Sequence, residues 1–191
     1  MKIQFVVAET KLENLRTSSI ASYRLRLANV YEAAKSLGME VIGGLDIDQT
    51  ADLQFVGKLT AAFGEQQLNT VISELEGKGR VIVDYTDHWL EKEKTITGHF
   101  YKKLADNSSL LVTPVERLTE SLISSGYQAT TVYDGIDVFS SLSPTQSLNK
   151  RREVLWFGHS SNINSLIRVL NGCLNQYDFN FTCISLIYST R

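Results

Sequence analysis

EQQLNTVISELEGKGRVIVDYTD, residues 65–87, changes its apolar period halfway along. In its first half Leu68, Val71, Ile72 and Leu75 recur every three or four residues among good helix formers, which lays one apolar stripe along a helix. Gly77 and Gly79 then supply the stop. From Arg80 the period disappears: VIV is a continuous apolar run that ends in carboxylates. A strand without polar alternation is one covered on both faces, as in a parallel sheet between layers of helices. A helix leading at once into such a strand is half of a βαβ unit.

The same alternation extends to both sides. KIQFVVA (2–8) reads as a buried strand and ETKLENLRTSS (9–19) as a polar loop. Ile20, Tyr23, Leu27, Val30, Tyr31, Ala34 and Leu37 then predict one helix, with Ser18 or Ser19 as its cap and Gly38 after its last turn. MEVIGG (39–44) and DLQFVGK (52–58) are the next strands. Beyond residue 87, a charged and moderately helical region (89–105) precedes strand SSLLVTP (108–114). Helix PVERLTESLISSG (114–126), with Pro114 at its start, and strand TTVYDG (130–135) complete the run. The expected fold is α/β: a Rossmann-like, doubly wound, mainly parallel sheet over residues 1–137. IDVFSSLSPTQSLNKRR, rich in serine and basic at its end, predicts a linker over 138–152. Strand EVLWFG, helix NINSLIRVLNGCLNQ and strand FNFTCISLIY then give a second, incomplete βαβ segment over 153–191.

Composition narrows the function classes. Of 191 residues, 43% are hydrophobic and 21% charged, as in ordinary globular domains. A net charge of −2 gives no general pull toward nucleic acid, which is excluded as an expected partner. Cys173 and Cys183 sit in apolar surroundings without CxxC spacing and read as reduced core residues. The opening apolar run is too short for a secretory signal, and no segment approaches the roughly 18 apolar residues of a membrane span. A cytoplasmic location is expected, which leaves peripheral contact with the membrane's inner face open. The loop VVAETKLENLR contains no glycine, against a dinucleotide fingerprint, and neither a P-loop nor a GxSxG elbow occurs. A phospho-receiver reading could use the strand-end aspartates, but it accounts poorly for the additional βα units and the linker.

Several stretches, in this order, resemble the first half of a glycosyltransferase with the GT-B fold, of the large group 1 or family 4. They are SSIASYRLRLANVYEAAKSLGMEV (18–41), ADLQFVGK (51–58), GKGRVIVDYTD (77–87) and ADNSSLLVTPVERLTESLISSGYQATTVYDGIDVF (105–139). The last is the most specific, because its Asp-Gly-Ile-Asp turn comes directly before the linker. REVLWFGHSSNINSLIRVL (152–170) is similar to the start of that family's donor-binding domain. The family's paired-glutamate motif has no equivalent here, and FGHSSNINSL lacks the arginine and lysine that commonly face the diphosphate. The resemblance places donor contacts at Gly158, His159 and Ser160, where backbone N–H groups at a helix start attract phosphate. It implies no metal and no cofactor.

Within that reading, Ser19, Tyr23, Arg24 and Arg26, with Ser18, lie where the first loop meets the first helix and are the expected acceptor-binding set. Arg24 either holds a phosphate or sugar hydroxyl or is solvated, and the serines serve as caps in either case. Asp87 and His88, at the end of the fourth strand, are the candidate catalytic pair. They orient or deprotonate an acceptor hydroxyl, or they bond nearby loops. Asp84 reads as structural. Two carboxylates and one imidazole make a poor metal site. His99 reads as a surface residue, and Asp134-Gly135-Ile136-Asp137 as a turn.

The expected activity is transfer of a sugar from a nucleotide-sugar donor to a polysaccharide or lipid-linked acceptor, with this chain supplying the acceptor side and inactive alone. The alternative is a non-catalytic sugar-binding or assembly module of the same fold. A lone βαβ segment buries too little apolar surface to stand alone, so truncation of a longer enzyme, or a homodimer formed through the C-terminal segment, is expected.

Overall fold

The computed structural model describes residues 1–134, 153–159, 163–173 and 180–186. The chain divides into two compact units, Met1–Phe139 and Ser140–Arg191. In the first, strands β1 (Lys2–Val6), β2 (Glu40–Gly44), β3 (Leu53–Val56), β4 (Val81–Asp84), β5 (Leu110–Thr113) and β6 (Ala129–Thr131) form one sheet in the order β2-β1-β3-β4-β5-β6. Every pairing is parallel. Helices α1 (Ala28–Ser36), α2 (Glu65–Leu75), α3 (Ile96–Asp106) and α4 (Glu116–Ser124) connect the strands. The first unit is therefore the expected Rossmann-like α/β fold.

The absence of polar alternation in the strands has a direct structural cause. Phe5 and Val7 enter a core with Tyr31 and Ala34 of α1, while Val6 between them enters another with α2, α3 and α4. Phe55 and Val56 divide between the same two cores. Each fully buried side chain of this kind contributes about 1.5–3 kcal/mol, so both faces must be apolar. The helices take opposite faces because crossovers are right-handed: α1 connects β1 to a neighbour on one side, and α2 to α4 advance the sheet on the other.

The chain returns from β2 to β3 without a helix. Residues 45–52 form a bent strap, with a turn at Asp48–Ala51, held by the buried side chain of Gln4, which donates to the Asp46 carbonyl at 2.7 Å and accepts from the Asp48 N–H at 2.8 Å. Ile47 closes the strap onto the core beneath α2. Lys2 pairs with Asp48 at 2.6 Å, and hydrogen bonds from Lys2 and Thr50 hold the Asp48 carboxyl down at about 2.

Three local differences from the sequence expectation have clear causes. The polar loop 9–19 contains a 3₁₀ turn, Leu12–Thr17, which folds because Leu12 and Leu15 are buried. The expected single helix opens as a π-helix, Tyr23–Leu27, before α1; the Ala28 N–H reaches the Tyr23 carbonyl five residues back. Apolar spacing does not distinguish this widened turn from an α-turn. The third difference is in β6, which has only three residues, because the Val132 carbonyl accepts from an arginine instead of a strand.

In α3 the Thr95 hydroxyl caps the Gly98 N–H at 3.0 Å. A Cβ at Gly98 would lie 1.9 Å from the Lys92 carbonyl oxygen. Gly98→Ala is expected to lower stability by about 3 kcal/mol, since backbone has to move. Urea denaturation with an unchanged m-value checks this; a loss below about 0.5 kcal/mol would mean that the turn at 92–95 shifts freely.

The second unit pairs β7 (Glu153–His159) with β8 (Asn180–Leu186) in parallel, from Glu153↔Asn180 to His159↔Leu186, through α5 (Ile163–Cys173). These two strands form a sheet of their own. The expected linker 138–152, the residues Gly135, Ile136 and Asp137, Ser160 and the two cysteine side chains lie outside the described residues. Among the described residues no helix is long and apolar enough to cross a membrane.

Candidate functional site

The direction in which strands are added reverses at β1, so the carboxyl ends of β1 and β3 form the switch point at which open α/β sheets bind ligands. Tyr23 bridges them. Its buried hydroxyl accepts from the Ala8 N–H at 3.3 Å and donates to the Lys58 carbonyl at 3.0 Å. Burial raises the phenol's pKa, only partly offset by the Ala8 bond, so Tyr23 stays neutral and serves as a strut. Gly57 permits the close approach beneath it, since a Cβ there would lie 2.6 Å from Leu27 Cδ1 and 2.7 Å from Val7 Cγ1.

Three residues further on, in the same π-helix, Arg26 is buried, at 7% exposure, and engages three points. Its Nε donates to Asp84 Oδ1 at 2.6 Å, and its Nη1 to the Val132 carbonyl at 2.7 Å and to Asp134 Oδ1 at 2.8 Å. Asp84 is 1% exposed, and its Oδ2 is buried with no hydrogen-bond partner. Burial is the largest influence on this carboxyl and outweighs the Arg26 guanidinium. With Asp134 adding a like charge, its pKa stands at about 6. For Arg26, burial opposes the charge, but Asp84 and Asp134 together hold its pKa above the usual value.

Beside this cluster Lys58, which follows β3, reaches Asp87, which follows β4, at 3.2 Å. Both are partly exposed at 32% and 42%, so the pair forms a solvent-facing rim. His88 turns toward α4: its Nε2 lies 2.9 Å from Ser121 Oγ, and its Nδ1 is buried without a partner. The catalytic pair expected from sequence therefore engages two different neighbours. Behind them a buried hydroxyl chain links Thr113 to Thr119 at 2.5 Å and Thr119 to Thr131 at 2.7 Å.

The expected acceptor-binding residues have separate placements. Tyr23 and Arg26 lie inward at the carboxyl edge. Arg24 is half-buried and donates to the Ser18 carbonyl at 2.8 Å. Ser19 is exposed, and Ser18 accepts from the Ile20 N–H at 3.1 Å, a local turn bond; the expected serine cap is not formed, because neither the π-helix nor α1 has a side-chain cap at its start. Gly158 and His159 end β7, in the second unit. His99 is exposed on α3. Sequence reasoning did not single out Lys58, and it placed Asp134 only in a turn. The available signal for the cluster was Arg26 itself, a charge on the inward stripe three residues after Tyr23, which demands a buried acid.

Among the described residues no group of three or more His, Cys, Asp or Glu side chains is placed to hold a metal ion. No protein-family model matches the chain, and no curated protein does either.

Proposed function

We propose that the chain is the acceptor-side portion of a glycosyltransferase of GT-B type, which passes a sugar from a nucleotide-sugar donor to a polysaccharide or lipid-linked acceptor. The observation that carries this reading is the order of the two units: an open parallel sheet with a polar switch-point edge, followed by a separate unit that begins with a βαβ segment. Transfer by two facing lobes needs the acceptor hydroxyl held in line with the anomeric carbon, and stabilisation of the leaving diphosphate. In this reading the Lys58–Asp87 rim supplies a cation and an acceptor for sugar hydroxyls, and Tyr23 and Arg26 hold the edge rigid. The backbone at Gly158, His159 and Ser160 meets the donor phosphate.

The pairing of Asp87 with Lys58 favours a second reading, a sugar-binding module without transfer, because the ammonium already occupies the carboxylate oxygen that would take up a hydroxyl proton. Titrating the chain with a nucleoside diphosphate-glucose and with oligosaccharides, followed by amide NMR, tests both. The expected result is shifts at residues 7–9, 57–58 and 85–88, with binding about tenfold weaker in Lys58→Met, of the order of one lost charge-assisted hydrogen bond. Nucleoside diphosphate release separates transfer from binding alone. No shift at that edge with any of these ligands at millimolar concentration overturns both readings.

A further inference from the structure

Arg26 joins three separate elements at the carboxyl edge: the π-helix it belongs to, the end of β4 and the chain just past β6. Its cluster of one cation and two carboxylates carries a net charge of −1 when all are ionised, an arrangement that a single proton would neutralise. The two carboxylates are unequal. Asp134 is 51% exposed and Asp84 1%, so the penalty for staying charged falls on Asp84. On Asp84 the two oxygens differ as well. Oδ1 accepts from Arg26 at 2.6 Å, whereas Oδ2 is buried and unpartnered, so a proton added there breaks no hydrogen bond.

We propose that Arg26, Asp84 and Asp134 form a latch worked by a single proton, which binds Oδ2 of Asp84 and sets how firmly Val132–Asp134 is held against the helix at Tyr23–Leu27. With Asp84 ionised, two carboxylates share one guanidinium and repel each other across it. A proton taken from solvent turns Asp84 into a neutral acid whose Oδ1 still accepts from Arg26. The repulsion on Asp134 disappears, and its attraction to Arg26 is no longer shared. The latch tightens on acidification and slackens as the pH rises toward neutrality. The charged and titratable groups facing Asp84 are Arg26 from the π-helix, Lys58 from the loop after β3, Asp134 from beyond β6 and Tyr101 from α3. Lys58 and Arg26 favour the ionised form, and Asp134 opposes it. Tyr101, raised by burial, stays neutral throughout. The position gives the latch meaning: Asp134 lies shortly before Phe139, where the first unit ends and the second begins.

The test is hydrogen exchange at the Val132 amide, which donates to the Thr113 carbonyl at 2.9 Å, corrected for intrinsic rates. Referring it to the Gln54 amide, bonded to Arg80 at 3.0 Å in the sheet centre, removes changes in global stability. In the wild-type protein the relative exchange of Val132 should be about fivefold slower at pH 5 than at pH 7.5, as expected for loss of one screened like-charge contact. The carboxyl ¹³C signal of Asp84 should titrate across the same range. Asp84→Asn should be slow at both pH values. Asp134→Asn should lose the pH effect and move the Asp84 midpoint down, because a like charge has been removed. If Asp84→Asn does not fold, the Asp134→Asn arm decides alone. Equal relative exchange at the two pH values in the wild-type protein, or a pH effect that survives in Asp134→Asn, overturns the latch.

Discussion

Arg26→Met is expected to lower the stability of the protein by about 3–5 kcal/mol at pH 8, because deleting one partner of a buried pair leaves the other charge uncompensated. Asp84 is the charge left behind, with 1% of its side chain exposed. Methionine keeps most of the stem's packing, so the loss reports the guanidinium. The pH dependence identifies the source. In the wild-type fold Asp84 has a pKa of about 6, above the roughly 3.9 of an unfolded aspartate, so the folded state binds the extra proton between those values. Its contribution is therefore greatest below about pH 4 and falls as pH rises through 6, by about 3 kcal/mol in all. Removing Arg26 leaves the burial and takes away the cation, so the folded pKa rises further and the loss continues to higher pH. The deficit of Arg26→Met should be small at pH 5 and large at pH 8 by urea denaturation. In the Arg26→Met, Asp84→Asn double variant most of it should be recovered. An equal deficit at both pH values would place the loss in packing and not in charge.

Tyr101→Ala is expected to be of similar size, about 4 kcal/mol, from the cavity left by a fully buried ring. Tyr101 has 0% exposure and stacks on Trp89 with centroids 5.1 Å apart and an interplanar angle of 10°. It meets Tyr85 edge-on at 5.6 Å and Phe100 at 5.4 Å. Its hydroxyl accepts from the Leu59 N–H at 3.0 Å, which fixes the loop after β3 that also carries Lys58. Tyr101→Phe should cost only about 1–2 kcal/mol, the penalty of one unpartnered buried N–H. The near-UV circular dichroism contributed by Trp89 should collapse in the alanine variant and persist in the phenylalanine one. If the two variants lost equal stability, the hydrogen bond and not the ring packing would be the dominant contribution.

The sheet was readable because its strands are covered twice. VIV at 81–83 has no polar alternation, and the structure puts its neighbours in two different cores. Strand order was not readable. That β3 lies beside β1 depends on an eight-residue strap whose grip is a buried glutamine, and no local periodicity encodes it. Similarly, Ile20 to Leu37 signalled a helix, but a π-turn has the same apolar face as an α-turn at this length. At the site, Tyr23 and Arg26 were found from their place on the first helix. The partners of Arg26 were not, because 58 residues separate it from Asp84 and 108 from Asp134. Lys58 and Asp87 meet only because β3 and β4 are neighbours, and His88 faces α4 because the chain turns sharply after Asp87.

The central position of β1 has a consequence for how the protein is made. β1 has two neighbours, β2 at residues 40–44 and β3 at 53–56, and until the second has been synthesised one row of its amide and carbonyl groups is open. The strap 45–52 is the part of the chain that brings β3 back to close that row. A nascent chain arrested between residues 44 and 53 thus leaves the inner row of β1 open to chaperone capture or intermolecular pairing, whereas one extended past residue 56 closes that row and moves the open edge outward to β3, which awaits β4.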